Sequence, residues 1–355
     1  MYIHEYIHRY ILMKKIQDAN VTGKKVLVRV DFNVAIENGE AKENFKIKAC
    51  KETVKYLLEN NAKVALVSHL GRPEGKANLE FSLEQLRDEA EQLLGVKIKF
   101  ISDCVGEKVS EGIDNLSDGE VLLLENARFY AGEEKNDENF AKQLAENFDI
   151  FINDAFSVCH RDQASVTGVA KILPSYAGFW LQKEIENLNK IKNNPEHPAV
   201  AIIGGAKIET KIPLIAQFEK NYDYILVGGI IANEAMDQKL QFLEKVILPL
   251  DLATGRFDIG PKTIEKFSEI IKTAKTIVWN GPMGKFEEKP YDAGTQGILN
   301  AVIAGGAYSL MGGGESVEIL EEQNAMDKIS FVSTGGGAML EYLSGNPMPG
   351  IEVLK

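Results

Sequence analysis

Ala199-Val200-Ala201-Ile202-Ile203-Gly204-Gly205-Ala206-Lys207 decides the fold. A short apolar run of this kind, closed by glycines and a cation, reads as a strand buried on both faces that ends in a turn into a helix. The same design recurs along the chain. Val26–Val30 leads into Asp31 and Asn33; Val64–Val67 into His69, Gly71 and Arg72; Val121–Leu124 into Asn126 and Arg128. Ile150–Ile152 leads into Asn153 and Asp154, with His160 and Arg161 beyond. Ile225–Val227 leads into Gly228-Gly229, Ile277–Trp279 into Asn280-Gly281, Ser309–Met311 into Gly312–Gly314, and Phe331-Val332 into Gly335–Gly337. Helical stretches separate the runs, as at 51–60, 83–94 and 138–146. Such alternation makes parallel sheets covered by helices, which bind ligands at the carboxyl ends of their strands. The expected fold is α/β, with two Rossmann-like lobes of parallel sheet joined by a helix.

The two halves carry different crests. The first is cationic, with His69, Arg72, Arg128, His160 and Arg161. Arginine forks suit carboxylate and phosphate, so the set points to a small, multiply charged anion rather than to solvated surface charge. The second crest is glycine-rich. Glycines let a ligand approach the backbone, and the helix starts behind them offer N–H groups to phosphate. Lys207 and Lys211 lie four apart at such a start and are expected to face one anion. Any single Gly cluster is also explained by turn geometry alone; several together suit a nucleotide.

Composition narrows the classes. The chain has 355 residues, a net charge of -12, 45% hydrophobic and 26% charged residues. An acidic protein of this kind is not expected to bind nucleic acid. Cys50, Cys104 and Cys159 are scattered and odd in number, which fits a reducing cytoplasm and no disulfide framework. No apolar run approaches the roughly 20 residues that span a bilayer, so no membrane role is expected. GxxxxGK[ST] is missing, and no GxGxxG is well placed. His160-Arg161-Asp162 matches part of the protein-kinase catalytic loop, but Thr167 stands where that signature requires Asn, and the match is read as coincidence.

In residues 1–13, Tyr2-Ile3-His4, Tyr6-Ile7-His8 and Tyr10-Ile11 repeat with period four and read as a non-native extension ahead of Met13-Lys14-Lys15, or as a docking or membrane-surface helix. Pro174 precedes an amphipathic run at 179–192, followed by Asn193-Asn194-Pro195. The boundaries expected are 1–13 for the extension, 14–178 for an anion-binding lobe, 179–193 for the joining helix, 194–344 for a nucleotide-binding lobe, and 345–355 for a short non-helical tail.

With these residues in view, the chain resembles the phosphoglycerate kinase family from Met13 onward. The matching segments begin at Arg29-Val30-Asp31-Phe32-Asn33-Val34, Ser68-His69-Leu70-Gly71-Arg72-Pro73, Glu125-Asn126-Ala127-Arg128-Phe129 and Asn153-Asp154-Ala155-Phe156. They continue, in family order, through Gly204–Lys207, Asp258–Thr263, Val278–Pro282 and Ser333–Gly337. The resemblance implies reversible phosphoryl transfer between 1,3-bisphosphoglycerate with ADP and 3-phosphoglycerate with ATP, by lobes that close on a hinge. It implies that Asp31, Asn33, Lys46, His69, Arg72, Arg128 and Arg161 hold the glycerate substrate. Lys46, Lys207, Lys211, Gly313 and Gly336 would serve catalysis. Gly205, Ala206, Lys207, Lys211, Gly229, Asn280, Pro282, Glu287, Gly312, Gly313, Gly314, Glu315 and Ser316 would hold the nucleotide, with Glu315 on Mg²⁺. A cytoplasmic monomer is expected, with the tail packed on the first lobe.

Four positions depart from the family pattern. Lys46 replaces an arginine, keeping the charge and losing the planar fork. Glu315 replaces an aspartate at the metal. Gln163 replaces a histidine, with Asp162 placing a negative charge beside Arg161. The stretch 232–258 is short, where relatives carry structure beside the adenine pocket. An active kinase is expected; a weakly active or inactive binding protein of the same fold is the alternative.

Overall fold

The computed structural model describes residues 13–37 and 40–355. The expectation about the extension falls on residues 1–12, outside the described residues. The chain divides into two compact units, 1–184 with 347–355, and 185–346. The division falls inside the helix Phe179–Asn193.

In the first unit, strands β1 (Lys25–Arg29), β4 (Lys63–Val67), β5 (Lys97–Ile101), β6 (Glu120–Leu124), β7 (Ile150–Asn153) and β8 (Ser175–Ala177) form one sheet in the order β5-β6-β4-β1-β7-β8. Every pairing is parallel. β2 (Ile36–Glu37) and β3 (Glu40–Ala41) make a separate antiparallel hairpin. The central strands read as unbroken apolar runs because both sheet faces are covered. Val26, Val28, Val64, Leu66, Val121 and Leu123 belong to one buried cluster, and the alternating Leu27, Ala65, Val67, Leu122 and Leu124 to the other. The two-residue period of a strand thus feeds two cores.

The second unit repeats the architecture. Strands β9 (Ala199–Ile203), β10 (Tyr224–Val227), β11 (Val246–Ile247), β12 (Thr276–Asn280), β13 (Tyr308–Gly312) and β14 (Phe331–Ser333) run in the order β11-β10-β9-β12-β13-β14, all parallel. The strand order reverses between β9 and β12, so the Gly204-Gly205 and Asn280-Gly281 turns flank the switch point where such sheets bind ligands. Covering helices keep the amphipathic period. Pro261–Ile271 starts with proline at its first position and buries Thr263, Phe267, Ile270 and Ile271.

Two expectations change. The run at 83–94 is not one helix: Leu83–Leu86 is a 3-10 turn capped by Ser82, and the α-helix begins at Arg87. The tail is not devoid of helix: Pro349–Glu352 forms one turn. It is anchored by Gly350 N–H donating to the Cys159 carbonyl at 2.9 Å and by Met348, Ile351 and Leu354, all fully buried. Pro349 occupies the first helical position, where no N–H is needed.

Candidate functional site

The cationic crest is assembled from the loops after β1, β4, β6 and β7. Asn126 organises the β6 loop. Its amide donates to the carbonyls of Leu70 and Phe81, and its side-chain oxygen accepts the Arg128 N–H at 3.0 Å. Arg128 is buried. Its Nη1 donates to the Gly71 carbonyl at 2.7 Å, whereas Nε and Nη2 are buried without a hydrogen bond, Nε having only an ionic contact with Glu134 at 3.3 Å. Burial, with the charge of Arg161, lowers its pKa to about 10. A buried guanidinium so poorly hydrogen-bonded is an expensive arrangement unless an anion completes it.

His69 is buried beside it. Burial and the charges of Arg29, Arg128, Arg161 and Lys46 push its pKa well below the ordinary value. Arg29 Nη2 lies 3.0 Å from His69 Nδ1, and a guanidinium can only donate. The ring is therefore neutral, with its proton on Nε2. Asn33 accepts the Gly71 N–H at 2.9 Å, tying the β1 and β4 loops together. Asp31 accepts the Asn33 N–H at 2.9 Å and the Ser157 hydroxyl at 2.5 Å. Arg161 donates to His160 at 3.3 Å. Arg72 is exposed, with no hydrogen bond or ion pair among the described residues.

Two departures acquire a physical setting here. Lys46, on the helix Phe45–Ala49, donates to the Asn33 carbonyl and to Glu43, each at 3.0 Å. Burial opposes its charge, but Asp31 and Glu43 outweigh burial and raise its pKa. Asp162 does not face the cations with its charge uncompensated. It accepts hydrogen bonds from Thr167 and Asn136 and lies 4.0 Å from Lys171, and the Thr167 bond leads in holding its pKa low.

In the second unit, Lys211 is buried on the helix Ile208–Asn221 and donates to the Asn280 side-chain oxygen. Burial lowers its pKa to about 8, against the raising effect of Glu315. Asn280 in turn donates to the Gly312 carbonyl at 2.6 Å. Lys207 does not share a helix face with Lys211. It precedes the helix in a left-handed conformation, φ 68°, and is exposed, so helical spacing does not apply to it. Glu315 sits in the first turn of the helix Gly314–Glu322. Burial of its carboxyl, then the charge of Glu287, raises its pKa, while Lys211 lowers it. Glu287 and Ala206 are exposed; Pro282 and Ser316 are buried, with the Gly281 N–H donating to the Ser316 hydroxyl at 3.3 Å.

The glycines divide into two sets. A side chain on Gly229 would meet Gly205 and the Pro282 carbonyl at 2.7–2.8 Å, and one on Gly336 would meet the Gly313 Cα at 2.7 Å. One on Gly312 would strike Met339 at 2.7 Å. These glycines let loops pack on loops or helices. Gly205, Gly313 and Gly314 have no such neighbour closer than 3.2 Å and leave space beside the backbone, although the Gly205 N–H donates to the Pro282 carbonyl and its carbonyl accepts the Ile231 N–H.

Arg29, Glu133 and Ser165 were not among the expected site residues. The signal for Arg29 lay in a charged residue standing inside Val28-Arg29-Val30, where a solvated side chain is impossible. Glu133 and Ser165 carry no comparable mark.

Two parallel α/β units, one crested by buried cations and the other by open glycine backbone beside a buried lysine, define a protein built for two anionic ligands. Comparison with known proteins specifies it further. The phosphoglycerate kinase family profile matches residues 16–247 and 244–346. The chain is 41% identical over 390 aligned positions to "Phosphoglycerate kinase" of Borrelia garinii subsp. bavariensis, covering 97% of this chain and 99% of that one. It is 41% identical over 385 positions to that of Moorella thermoacetica, covering 96% and 98%. The phosphoglycerate kinase structure from Pyrococcus horikoshii OT3 superposes with a TM-score of 0.87 at 30% identity, covering 96% of this chain and 98% of that one. The one from Coxiella burnetii gives 0.82 at 35% identity, with the same coverage. The chain belongs to the phosphoglycerate kinase family. The profile match breaks at 244–247, inside the stretch that reads as short, and the Borrelia alignment of 390 positions is longer than the 355 residues of this chain.

Proposed function

We propose that this protein transfers a phosphoryl group reversibly between 1,3-bisphosphoglycerate and ADP, giving 3-phosphoglycerate and ATP. The observation that carries the substrate assignment is Arg128, buried with Nη2 free of any hydrogen bond and Nε held only by an ionic contact with Glu134, beside neutral His69 and close to Arg161. The first unit would hold the glycerate through Asp31, Asn33, Lys46, His69, Arg72, Arg128 and Arg161. The second would hold the nucleotide in the space beside Gly205, Gly313 and Gly314, with Ala206, Gly229, Asn280, Pro282, Glu287, Gly312 and Ser316 around it.

In the reaction, the bond between the acyl oxygen and phosphorus breaks and a bond from the ADP β-phosphate oxygen to phosphorus forms. No protein nucleophile takes part. The protein supplies position and charge. Lys46 would meet the substrate end, and Lys211 and Lys207 the nucleotide end. The first-turn N–H groups of the helices Gly314–Glu322 and Gly336–Ser344 would stabilise the equatorial oxygens. Exclusion of water from the bound acyl phosphate would protect it from hydrolysis.

Mg²⁺ would arrive with the nucleotide. Among the described residues no group of three or more His, Cys, Asp or Glu side chains could hold a metal, so the fit is to a substrate-borne ion. One carboxylate plus phosphates and water is a usual magnesium set. Glu315, whose charge burial and Glu287 disfavour, gains from a cation. Among the described residues no helix is long and apolar enough to cross a membrane; the enzyme would work as a cytoplasmic monomer.

A coupled assay with ATP, Mg²⁺ and 3-phosphoglycerate tests the reading. Turnover is expected. Tight binding of 3-phosphoglycerate without turnover would support a binding protein instead.

A further inference from the structure

His69 is oriented from behind by a chain of three fully buried polar residues. Glu133 Oε1 accepts the Ser165 hydroxyl at 2.5 Å, and its Oε2 accepts the Ser165 N–H at 2.9 Å. The same Ser165 hydroxyl accepts from Arg29 Nε at 2.9 Å. Arg29 Nη1 donates to the Val30 carbonyl, and Nη2 reaches His69 Nδ1 at 3.0 Å. Arg29, Glu133 and Ser165 each have no exposed surface, and His69 is 3% exposed. Only the last member can touch a ligand.

We propose that Glu133, acting through Ser165 and Arg29, fixes the tautomer of His69, so that the ring offers Nε2–H as a neutral donor to an oxygen of the bound glycerate anion. This rests on the proposed function only for the identity of the anion. Arg29 is a donor without exception; while it holds Nδ1, the proton must sit on Nε2. Arg29 stays in place because its buried charge has a buried countercharge. Burial lowers its pKa, and Glu133 is the leading influence in the other direction, followed by Asp31. Without Glu133 the strongest remaining pull comes from Asp31, on the substrate side, and the guanidinium is drawn away from the ring. Glu133 and Ser165 are therefore positioning residues. The other charges acting on His69 are Arg128, Arg161 and Lys46, from three further segments. All are cations, so none can replace Glu133.

The test is ¹⁵N NMR of the His69 ring in the full-length protein near neutral pH, for the wild type and Glu133→Gln. The wild type is expected to show a single tautomer, with Nδ1 unprotonated. The variant is expected to show mixed tautomers. Its KM for 3-phosphoglycerate should rise roughly tenfold, the factor that accompanies one lost hydrogen bond, with a much smaller change in KM for ATP. Ser165→Ala removes the bridging hydroxyl and should shift the ring in the same direction. It decides the matter if Glu133→Gln does not fold. A single unchanged tautomer in a folded variant, or equal rises in both KM values, overturns the proposal. Failure of the wild type to bind 3-phosphoglycerate would count against the proposed function, while the ring spectra would still decide the role of Glu133.

Discussion

At the scale of single residues, the departures from the family pattern have become local chemistry. Lys46 is engaged on both sides, by the Asn33 carbonyl and by Glu43. A longer planar guanidinium there must displace Glu43 or lose one contact, so Lys46→Arg is expected to lower kcat, by roughly tenfold or less, the scale of one strained charged contact. Steady-state kinetics check this; a several-fold rise would show that the pocket still suits arginine. Lys211 should act on the group in flight. Lys211→Ala is expected to lower kcat by roughly 10²–10³, as for loss of one transition-state donor, with modest change in either KM. Its pKa of about 8 also sets a sign. Lysine is cationic below its pKa, so kcat/KM for the wild type should decline as pH rises through about 8, and a pH profile measures it.

Among elements, the joining helix Phe179–Asn193 has the most consequential cap. Asp154, at the end of β7, is buried, and its Oδ1 accepts the N–H groups of Trp180 at 2.8 Å and Leu181 at 3.1 Å. Gly178 is required there, since a Cβ would lie 2.3 Å from the Asp154 oxygen. Burial raises the Asp154 pKa to about 7, above the value of about 3.9 for the unfolded chain. The folded state therefore prefers the protonated acid. The stability this contributes is complete below about pH 4 and lost as pH rises through about 7. Asp154→Asn keeps the accepting oxygen and removes the titration. Urea unfolding should show the variant gaining on the wild type from pH 4 to pH 8, by up to a few kcal/mol; parallel curves would remove Asp154 as the cause.

This cap was partly legible. The boundaries of the joining helix and its amphipathic period stood in the sequence, but a carboxylate 25 residues upstream of the helix it caps leaves no local mark. β5 and β8 were missed for a related reason. Lys97–Ile101 alternates as a half-buried edge strand, and Ser175–Ala177 is too short to carry a period.

For the molecule as a whole, the separation of ligands is the testable claim. Arg161→Ala should weaken 3-phosphoglycerate binding by roughly 1.5–3 kcal/mol, the value of a charge-assisted contact, and leave ADP binding nearly intact. Calorimetry with each ligand checks it; equal losses would contradict the assignment of one ligand to each unit. The division into two crests was readable because strand ends announce their loops, as for His69 and Arg128; Lys211 was read from its spacing to Lys207, which the left-handed Lys207 does not turn into a shared face. What the sequence hid was the supporting layer. Gly229 and Gly336, read as ligand contacts, also seat one loop on another, where a side chain would find no room. Glu133, beside Glu134 and Lys135 in a charged run, carries no mark in the sequence and is fully buried.

The tail carries a further consequence. Lys14 N–H donates to the Leu354 carbonyl at 2.9 Å, and residues 347–355 belong to the first unit. The second unit is thus an interlude within the first. On a ribosome, 185–346 have all emerged before the turn Pro349–Glu352 exists, so the unit that begins earlier is finished later. Until then Cys159, Asn153 and their surroundings lack the buried Met348, Ile351 and Leu354, and the first unit waits for residues 347–355.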